Sequence, residues 1–493
     1  MMMQSSIIKA DVKLLRKLVP IINDSCKNLQ EQIRSIVMDN NNRKSLLKPP
    51  PEVAQLKTLD EDAFKKKIFV PYITIHEKSI QKIAPLLKPF FLSLRNMPPI
   101  QECGDSSSTH DDERNQDSEK DVASSLRKIL LNPIEIQTWT NIKEPIRQKL
   151  VEEFKIDDIE TTEIELGFHN YHVKDLIEAL IPDPEKRVSS WTFTGHILHV
   201  NLTDEKLDNK QLIGQLLLKV HPNVKMVVNK VNSIDSEFRN FEMEILAQTE
   251  DAKQLGTIVE VKENKFTFKF DFAKVYWNSR LNSEHLRIIN MIRKEDTVYD
   301  LFAGIGPFAV PAARKKCEVY ANDLNPEATK WMAVNAKLNK VESNLKIFTM
   351  DARKFVQEVV KTHLKKNWRQ ACEQALFINK DYHVLMNLPG MAIDFLDSFV
   401  GLFENDDFES NEEVFKYCKT PFIHCYTFLK KDLDAKEIIP KKVESILNNK
   451  LLNNYQLEQV RDVAPNKHMF RISFRMPNEV LFDSKNIKRR KTS

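Results

Sequence analysis

The chain has 493 residues, 42% of them hydrophobic, and 74 lysines and arginines against 70 aspartates and glutamates, a net charge of +4. At about 100–200 residues per domain this length predicts two to four domains, and the apolar content excludes a largely disordered protein. The near balance of charge excludes a uniformly basic nucleic-acid binder, so any basic surface has to be local.

The cysteines and the hydropathy of the chain indicate which further classes of protein can be set aside. The six cysteines are scattered without a C-x-x-C pair, which predicts reduced thiols rather than a disulfide framework, and no metal is expected. No apolar run approaches the roughly 18 residues of a membrane-spanning helix, so no membrane association is expected. Residues 1–22 carry four bases and one acid, which fits either a mitochondrial targeting helix or a frayed terminus. Lys488–Lys491 fits a nuclear address, a phosphate-binding tail or a solvated end.

Changes of pattern along the chain predict five segments. These are an N-terminal extension (1–50), an N-terminal domain (51–160), a middle α+β domain (161–272), an α/β domain (273–483) and a basic tail (484–493). The first domain shows a strand at 67–75 and helical periodicity at 79–94, and its acidic, serine-rich stretch 101–125 predicts a disordered loop. The middle domain predicts helices at 173–180 and 210–220 and a hairpin at 263–265.

The last large segment alternates strands and helices, which predicts an α/β fold with a mixed seven-stranded, Rossmann-like sheet. The predicted strands are 297–301, 319–322, 345–349, 382–386, 421–428, 457–463 and 469–476. The link between the last two is too short for a crossover helix, so the final strand is expected to run antiparallel. Such a sheet fits a methyltransferase better than a dehydrogenase.

A glycine turn follows the first of these strands. Gly304 and Gly306 precede Pro307, which is predicted to be the first residue of a helix. The pattern fits a dinucleotide loop and also a loop that holds S-adenosylmethionine (AdoMet). Asp300 is expected to face the mouth of the loop, where it would repel a pyrophosphate and attract the cationic part of AdoMet. Asp323, 19 residues after the first glycine, suits the ribose hydroxyls of either cofactor.

Polar residues also follow the later strands. Asn387 stands at the end of the fourth strand, where an amide can hold the edge of a nucleobase, although Asn-x-Pro-Gly is also good turn chemistry. Asp351 follows the third strand and suits either the adenine amino group or a helix N-cap. Upstream, Ser283 or Asn282 is predicted to cap a helix that begins near Glu284, and the plain alternative for Glu284 is a surface ion pair with Arg280.

Several motifs together resemble the eukaryotic and archaeal tRNA (guanine-37-N1)-methyltransferases, over about residues 55–490. The motifs are DFAKVYWNSRLNSEH (271–285), DLFAGIGPF (300–308), NDLNP (322–326), MNLP (386–389), IHCYTF (423–428), GHILHVNL (195–202) and FRNFEMEI (238–245). The resemblance implies a tRNA-docking N-terminal domain, a middle domain, and a class I domain that moves a methyl group from AdoMet to N1 of the guanosine after the anticodon.

The resemblance also implies roles for individual residues. Glu284 matches the proposed general base, Arg239 the group that stabilises O6, and Asn387 the residue that orients the base. The positions that correspond to the cofactor site are His285, Asp300, Gly304, Gly306, Asp323, Leu324, Asp351, Ala352 and Asn387. Those that correspond to the substrate site are Arg239, Arg280, Asn387 and Pro389. The target base has to leave its stack, and Trp191, Phe238, Tyr276 and Trp277 are candidates to support it.

The expected partner is tRNA, and the expected state is a monomer in the cytoplasm, the nucleus and the mitochondrial matrix. In phenylalanine tRNA the implied reaction is the first step toward wybutosine. Two alternatives remain open at this point: an RNA-binding scaffold with a non-catalytic methyltransferase fold, and a nicotinamide-dependent oxidoreductase. The first predicts tRNA binding without methyl transfer, and the second predicts binding of NAD(P)H rather than AdoMet.

Overall fold

A computed structural model describes residues 45–103, 125–231, 242–404, 406–452, 454–464 and 466–482. Nearly all of the predicted N-terminal extension and acidic loop, the basic tail, and the segment with Phe238 and Arg239 lie outside these ranges. Within them, no helix is long and apolar enough to cross a membrane. The chain divides into two compact units, the first running to Ser189 with Thr203–Val220 added, the second holding Ser190–Leu202 and the chain from His221 onward. The predicted domain boundaries stay predictions.

The first unit is built on a four-stranded antiparallel sheet in the order β2-β3-β1-β4. Its strands are β1 (Lys66–His76), β2 (Ile100–Glu102), β3 (Leu126–Leu130) and β4 (Glu160–Leu166), and its helices are α1 (Ile80–Leu87), α2 (Glu144–Phe154), α3 (Val173–Leu180) and α4 (Lys210–Val220). The predicted strand at 67–75 and the helices at 173–180 and 210–220 are confirmed. Helix α1 ends earlier than its periodicity predicted, because Pro89 follows within a single 3-10 turn, Lys88–Phe90.

The second unit begins with a smaller sheet in the order β5-β6-β7-β8, with β6 and β7 parallel. Its elements are β5 (Thr192–Thr194), β6 (Ile197–Val200), β7 (Met226–Val231), β8 (Glu242–Gln248) and α5 (Glu250–Leu255). A hairpin of β9 (Ile258–Glu263) and β10 (Phe266–Asp271) follows. Asn264 and Lys265 both have positive φ, 48° and 72°, as the favoured two-residue hairpin turn requires, so the predicted hairpin is confirmed.

A seven-stranded sheet in the order β13-β12-β11-β14-β15-β17-β16 forms the centre of this unit. Its strands are β11 (Thr297–Asp300), β12 (Glu318–Asn322), β13 (Leu345–Phe348), β14 (Tyr382–Met386), β15 (Phe422–Lys430), β16 (Tyr455–Ala464) and β17 (Lys467–Arg475). Strand β17 pairs antiparallel with both of its neighbours, which confirms the prediction for the final strand. Since β16 therefore runs parallel to β11–β15, the carboxyl ends of all six strands lie at one edge of the sheet, where ligands of open α/β sheets bind.

Helices cover both faces of this sheet, so its central strands are buried on both sides. The helices are α6 (Asn282–Met291), α7 (Ala309–Arg314), α8 (Pro326–Leu338), α9 (Ala352–Phe355), a π-helical stretch (Val356–Val360), α10 (Lys361–Glu373), α11 (Asn411–Tyr417), α12 (Ala435–Leu447) and α13 (Asn478–Leu481), with a 3-10 helix at Ala392–Phe399. Val298 belongs to the core on one face and Tyr299 to the core on the other, as alternation along a strand requires.

One predicted helix start and the predicted cap of another helix are wrong. Helix α7 begins at Ala309 rather than Pro307, because the chain makes consecutive turns through 301–308 and closes one of them with a bond from the Gly306 amide to Ala303 O. Helix α6 begins at Asn282, directly after a 3-10 turn, Ser279–Leu281. Neither Ser283 nor Asn282 caps it; the side chain of Asn278 caps the 3-10 turn instead, accepting from the Arg280 amide at 3.1 Å.

Candidate active site

A cavity opens at the carboxyl edge of the seven-stranded sheet, where the loops after β11, β12, β13 and β14 meet. Tyr276, Asn278 and the start of α6 close one side, and Val463 of β16 closes another. Eight of the predicted site residues line it: His285, Gly304, Asp323, Leu324, Asp351, Ala352, Asn387 and Pro389. Asp300, Gly306, Arg280 and Glu284 lie outside the cavity wall, and Arg239 lies outside the described residues.

The two glycines of the turn, Gly304 and Gly306, are needed for different reasons. Gly304 has a φ of +55°, and a Cβ added there would meet no atom within 4 Å, so it leaves room on the cavity side. Gly306 has a φ of +94°, and a Cβ there would lie 3.0 Å from Val310 Cγ2 and 3.1 Å from Met332 Cγ. Gly304 thus keeps open space for a ligand, whereas Gly306 allows the turn to pack against α7 and α8.

Two carboxylates follow β12 and β13 at the cavity wall. Asp323 accepts from the Gly304 amide at 2.8 Å and from the Asn325 amide at 2.9 Å, which ties the glycine turn to the end of β12. Burial raises the pKa of Asp323, and these two backbone donors oppose that effect. Asp351 caps α9 by accepting from the Arg353 amide at 2.9 Å, and it also lines the cavity, so both uses considered for it are compatible. Carboxylate acceptors at these positions suit ribose hydroxyls and an adenine amino group.

Asp300 corrects a prediction, because its carboxylate does not face the mouth of the loop. The residue is 0% exposed, and neither carboxylate oxygen makes a well-formed hydrogen bond among the described residues. Burial, with a smaller contribution from the nearby Asp323 and against the opposing effect of the Phe302 amide, raises the pKa of Asp300 to about 8. Its acid is therefore held beneath the turn rather than presented to the cavity.

Glu284 projects from the first turn of α6 and is only 4% exposed. Its Oε1 accepts from Arg471 Nη1 at 2.5 Å and from the Tyr426 hydroxyl at 2.9 Å, and Arg471 is itself 1% exposed. Arg280 instead donates to Thr192 Oγ1 at 3.4 Å, so the surface ion pair considered for Glu284 and Arg280 is excluded. A buried carboxylate needs such partners, since an unpaired charge in the interior is costly.

His285, the neighbour of Glu284, turns toward the cavity. Its Nδ1 lies 2.6 Å from Glu263 Oε1 at the β9–β10 turn, and its ring meets Phe308 edge-on with centroids 4.6 Å apart. An Nδ1–H that donates to the carboxylate fixes the tautomer and leaves Nε2 as an acceptor. Glu263, Tyr426 and Arg471 were not predicted as site residues. The available signal was the charged Arg471 inside the apolar strand sequence FRISF.

Asn387 follows β14 and contributes the one cavity-lining side-chain oxygen described as buried without a hydrogen-bond partner. An unsatisfied buried acceptor costs free energy until a donor arrives. Of the predicted stacking residues, Tyr276 is 49% exposed beside the cavity, whereas Trp277 also packs in the core against Phe268 and Phe270. Asn387 thus offers a ready acceptor for a ring N–H or an amino group.

Comparisons with known proteins place the chain in a family. Residues 258–448 match the TRM5/TYW2 methyltransferase domain, and residues 173–250 match the TYW2 N-terminal domain. The tRNA (guanine(37)-N(1))-methyltransferase of Xenopus tropicalis is 38% identical over 447 residues, which cover 90% of this chain and 83% of that protein. The chain belongs to the tRNA (guanine(37)-N(1))-methyltransferase family. The member from Drosophila melanogaster is 36% identical over 90% of this chain and 89% of its own length.

Two solved Trm5 structures share the fold of this chain. Trm5b from Pyrococcus abyssi superposes with a TM-score of 0.51 at 21% identity, over 82% of this chain and 98% of that one. A complex of aTrm5 and tRNALeu gives a TM-score of 0.53 at 21% identity, and the match covers 83% of this chain and 100% of that one. The chain therefore has the fold of these structures.

The residues of the cavity fit the AdoMet on which this family depends. Asp323 and Asp351 supply acceptors at the ends of neighbouring strands, Gly304 leaves open space, and His285 offers a ring nitrogen. Bound AdoMet supplies an electrophilic methyl group at the carboxyl edge of the sheet. The chain's own residues then have to hold the acceptor base, remove its proton and balance the charge that this leaves.

Proposed function

We propose that this enzyme methylates N1 of guanosine 37 in tRNA, with AdoMet as the methyl donor. The unsatisfied Oδ1 of Asn387 at the wall of the AdoMet-type cavity carries this assignment, since a guanine edge offers the donors that this oxygen lacks. The curated relatives carry the same activity in their names.

The proposed chemistry assigns proton removal to Glu284. Guanine N1 carries a proton, so a base has to take it as the methyl group arrives, and the negative charge that develops on O6 needs a donor. Arg239 is proposed to stabilise the negative charge on O6, and Asn387 is proposed to orient the guanine base. In this structure Glu284 is hydrogen-bonded to Tyr426 and Arg471 behind the cavity wall, so its carboxylate has to turn toward the base when RNA enters.

The test replaces the carboxylate by an amide of the same shape. Glu284→Gln is expected to lower the single-turnover rate more than tenfold, because general-base catalysis typically contributes about 100-fold or more. The affinity for AdoMet, measured by calorimetry, is expected to stay the same. Lys316→Gln, an exposed change beyond the end of α7, is the control and is expected to leave the rate unchanged. An unchanged rate in Glu284→Gln would remove Glu284 from the base role.

The product identifies the methylated atom. Unmodified transcripts with guanosine or adenosine at position 37 are incubated with labelled AdoMet, and the nucleosides are separated by mass spectrometry. The guanosine transcript is expected to yield 1-methylguanosine and the adenosine transcript no product. Methylation of both transcripts, or of another atom, would contradict the proposal.

We also propose that the enzyme is a monomer and that it acts in the cytoplasm, nucleus and mitochondrial matrix. In phenylalanine tRNA, we propose that its reaction is the first step toward wybutosine. The bases among the apolar residues of 1–22 support a mitochondrial share, and Lys488–Lys491 supports a nuclear one. The match of residues 173–250 to a TYW2 N-terminal domain supports the link to wybutosine.

A further inference from the structure

Two arginines meet beside the cavity through one asparagine. Asn278 Oδ1 accepts from the Arg280 amide at 3.1 Å and lies 3.4 Å from Arg461 Nη1. Asn278 Nδ2 in turn donates to the hydroxyl of Tyr276 at 3.2 Å, and both Asn278 and Tyr276 line the cavity. Partial burial lowers the pKa of Arg461, and the positive charge of Arg280 lowers it further, so the two guanidiniums are close enough to repel.

Neither arginine forms a salt bridge within the described residues. Arg280 donates to the hydroxyl of Thr192, and Arg461 Nε donates to the backbone oxygen of Asp462. The carboxylate of Asp462 is engaged by His468 at 2.6 Å instead. The nearby Asp462 carboxylate raises the pKa of Arg461 by less than Arg280 lowers it, so an anion held between the two guanidiniums would relieve their remaining repulsion.

The position of Arg461 relates this pair to the reaction. It lies near the carboxyl end of β16, the edge strand, two residues before the cavity-lining Val463. The pair therefore stands at the mouth of the cavity, on the same edge of the sheet as Asn387. Arg280 is solvent-exposed and Arg461 half-buried, which leaves the fork of donors accessible from outside.

A third cation extends the positive field along the same unit. Lys230 Nζ lies 4.8 Å from the centroid of the Phe272 ring, and the ring of His199 lies 5.3 Å from the same centroid. Burial, together with the nearby charges of Lys230 and Arg280, lowers the pKa of His199 to about 3, so this imidazole is neutral. The charges of Lys230 and Arg280 thus both act on the His199 ring, and the charge of Arg280 also acts on Arg461.

We propose that Arg280 and Arg461 form a binding site for one backbone phosphodiester of the RNA, next to the nucleotide that enters the cavity. This site rests on the proposed function and adds Arg461, which no sequence motif indicated. A phosphate oxygen is the ligand that a guanidinium fork matches best, and a phosphate fixed at the mouth would hold the extruded nucleotide in register.

The experiment is a cycle between protein and RNA variants of the full-length chain. One arm is Arg461→Gln; the other is a ligated tRNA with an uncharged methylphosphonate at the phosphate 5′ or 3′ of nucleotide 37. With unmodified tRNA, Arg461→Gln is expected to weaken binding roughly tenfold, the worth of one charge-assisted hydrogen bond. The dependence of binding on salt is expected to become shallower by about 0.7 in slope, one phosphate contact of a single strand.

The cycle decides whether the arginine and the phosphate contact each other. At the contacted linkage the methylphosphonate is expected to weaken wild-type binding and to leave Arg461→Gln unaffected, whereas additive losses at both linkages would overturn the proposal. Arg314→Gln at the far end of α7 removes the same charge and serves as the control.

A loss of AdoMet affinity in Arg461→Gln without a change in tRNA affinity would overturn the proposal and assign the site to the cofactor's carboxylate. A wild-type protein that binds tRNA but makes no 1-methylguanosine would reject the proposed function, and the binding cycle would still be readable.

Discussion

At the scale of single residues, the least expected contact is that between Glu284 and Arg471. Glu284 could be selected from sequence, because its motif resembles that of a known family. Its partner could not, because 187 residues separate the two and the register of β17 decides which side chain reaches α6. The same holds for Asp300: its place before the glycine turn was clear, but the burial of its carboxylate depends on packing that no local pattern encodes.

This buried pair leads to a prediction on stability. Arg471→Met is expected to lower the free energy of unfolding by about 3–5 kcal/mol, because it leaves a buried carboxylate without its charged partner. The double variant Glu284→Gln/Arg471→Met is expected to recover much of that loss, since neither charge remains. Urea unfolding followed by circular dichroism measures both.

Helix α6 offers a matched control for that measurement. Arg287 also pairs with Glu284, at 3.5 Å, but is 46% exposed at the level of its side chain. Arg287→Met is therefore expected to cost less than about 1 kcal/mol. Equal losses from Arg287→Met and Arg471→Met, or no recovery in the double variant, would show that the buried pair is not the stabilising contact.

At the scale of elements, the strand–turn–helix that begins at β11 combines a successful prediction with a wrong one. The seven strands were predicted to within two residues at each end, because buried strands are short apolar runs between turn residues. The start of α7 was wrong because proline suits a turn as well as a first helical position. Sequence alone also could not separate the roles of the two glycines, which depend on the space around each.

Those roles predict opposite outcomes for two single-methyl substitutions. Gly306→Ala is expected to destabilise the protein by about 1–3 kcal/mol, since it adds backbone strain and crowds Val310 and Met332. Gly304→Ala is expected to cost less stability but to weaken AdoMet binding, because its methyl group would stand on the cavity side. Thermal unfolding and calorimetric titration separate the two. The assignment fails if Gly306→Ala impairs binding alone, or if Gly304→Ala leaves binding unchanged.

At the scale of the whole molecule, the two compact units have separate cores. One core gathers around β1 and β3, and the others cover the two faces of the seven-stranded sheet. The alternation of strands and helices predicted the seven-stranded sheet that lies within the second unit. The division at Ser189, with Thr203–Val220 joining the first unit, was not visible, because it follows long-range contacts rather than composition.

Separate cores predict that the units respond separately to ligand. Scanning calorimetry is expected to show two unfolding transitions. AdoMet is expected to raise the midpoint temperature of only one of them, the transition of the unit that contains the cavity. At a concentration 100 times its dissociation constant, AdoMet would stabilise that unit by about 2.7 kcal/mol. A single transition that shifts as a whole would contradict this independence. The Arg314→Gln protein, with its cavity residues intact, is expected to reproduce the wild-type shift.

The order of the last two strands has a consequence for the newly made chain. Strand β16 leaves the ribosome before β17, yet in the sheet it pairs only with β17, which inserts between it and β15. A nascent chain that has reached Ala464 already contains every predicted AdoMet residue, but β16 has no neighbour to pair with and Glu284 lacks the arginine that neutralises it. The cavity itself is completed only at the end of synthesis, because Met469 of β17 lines it, and the position of Arg461 and the partner of Glu284 also depend on residues made last. Translation that stops at Ala464 would release a chain that contains every predicted AdoMet residue but lacks one wall of the cavity and the finished catalytic edge.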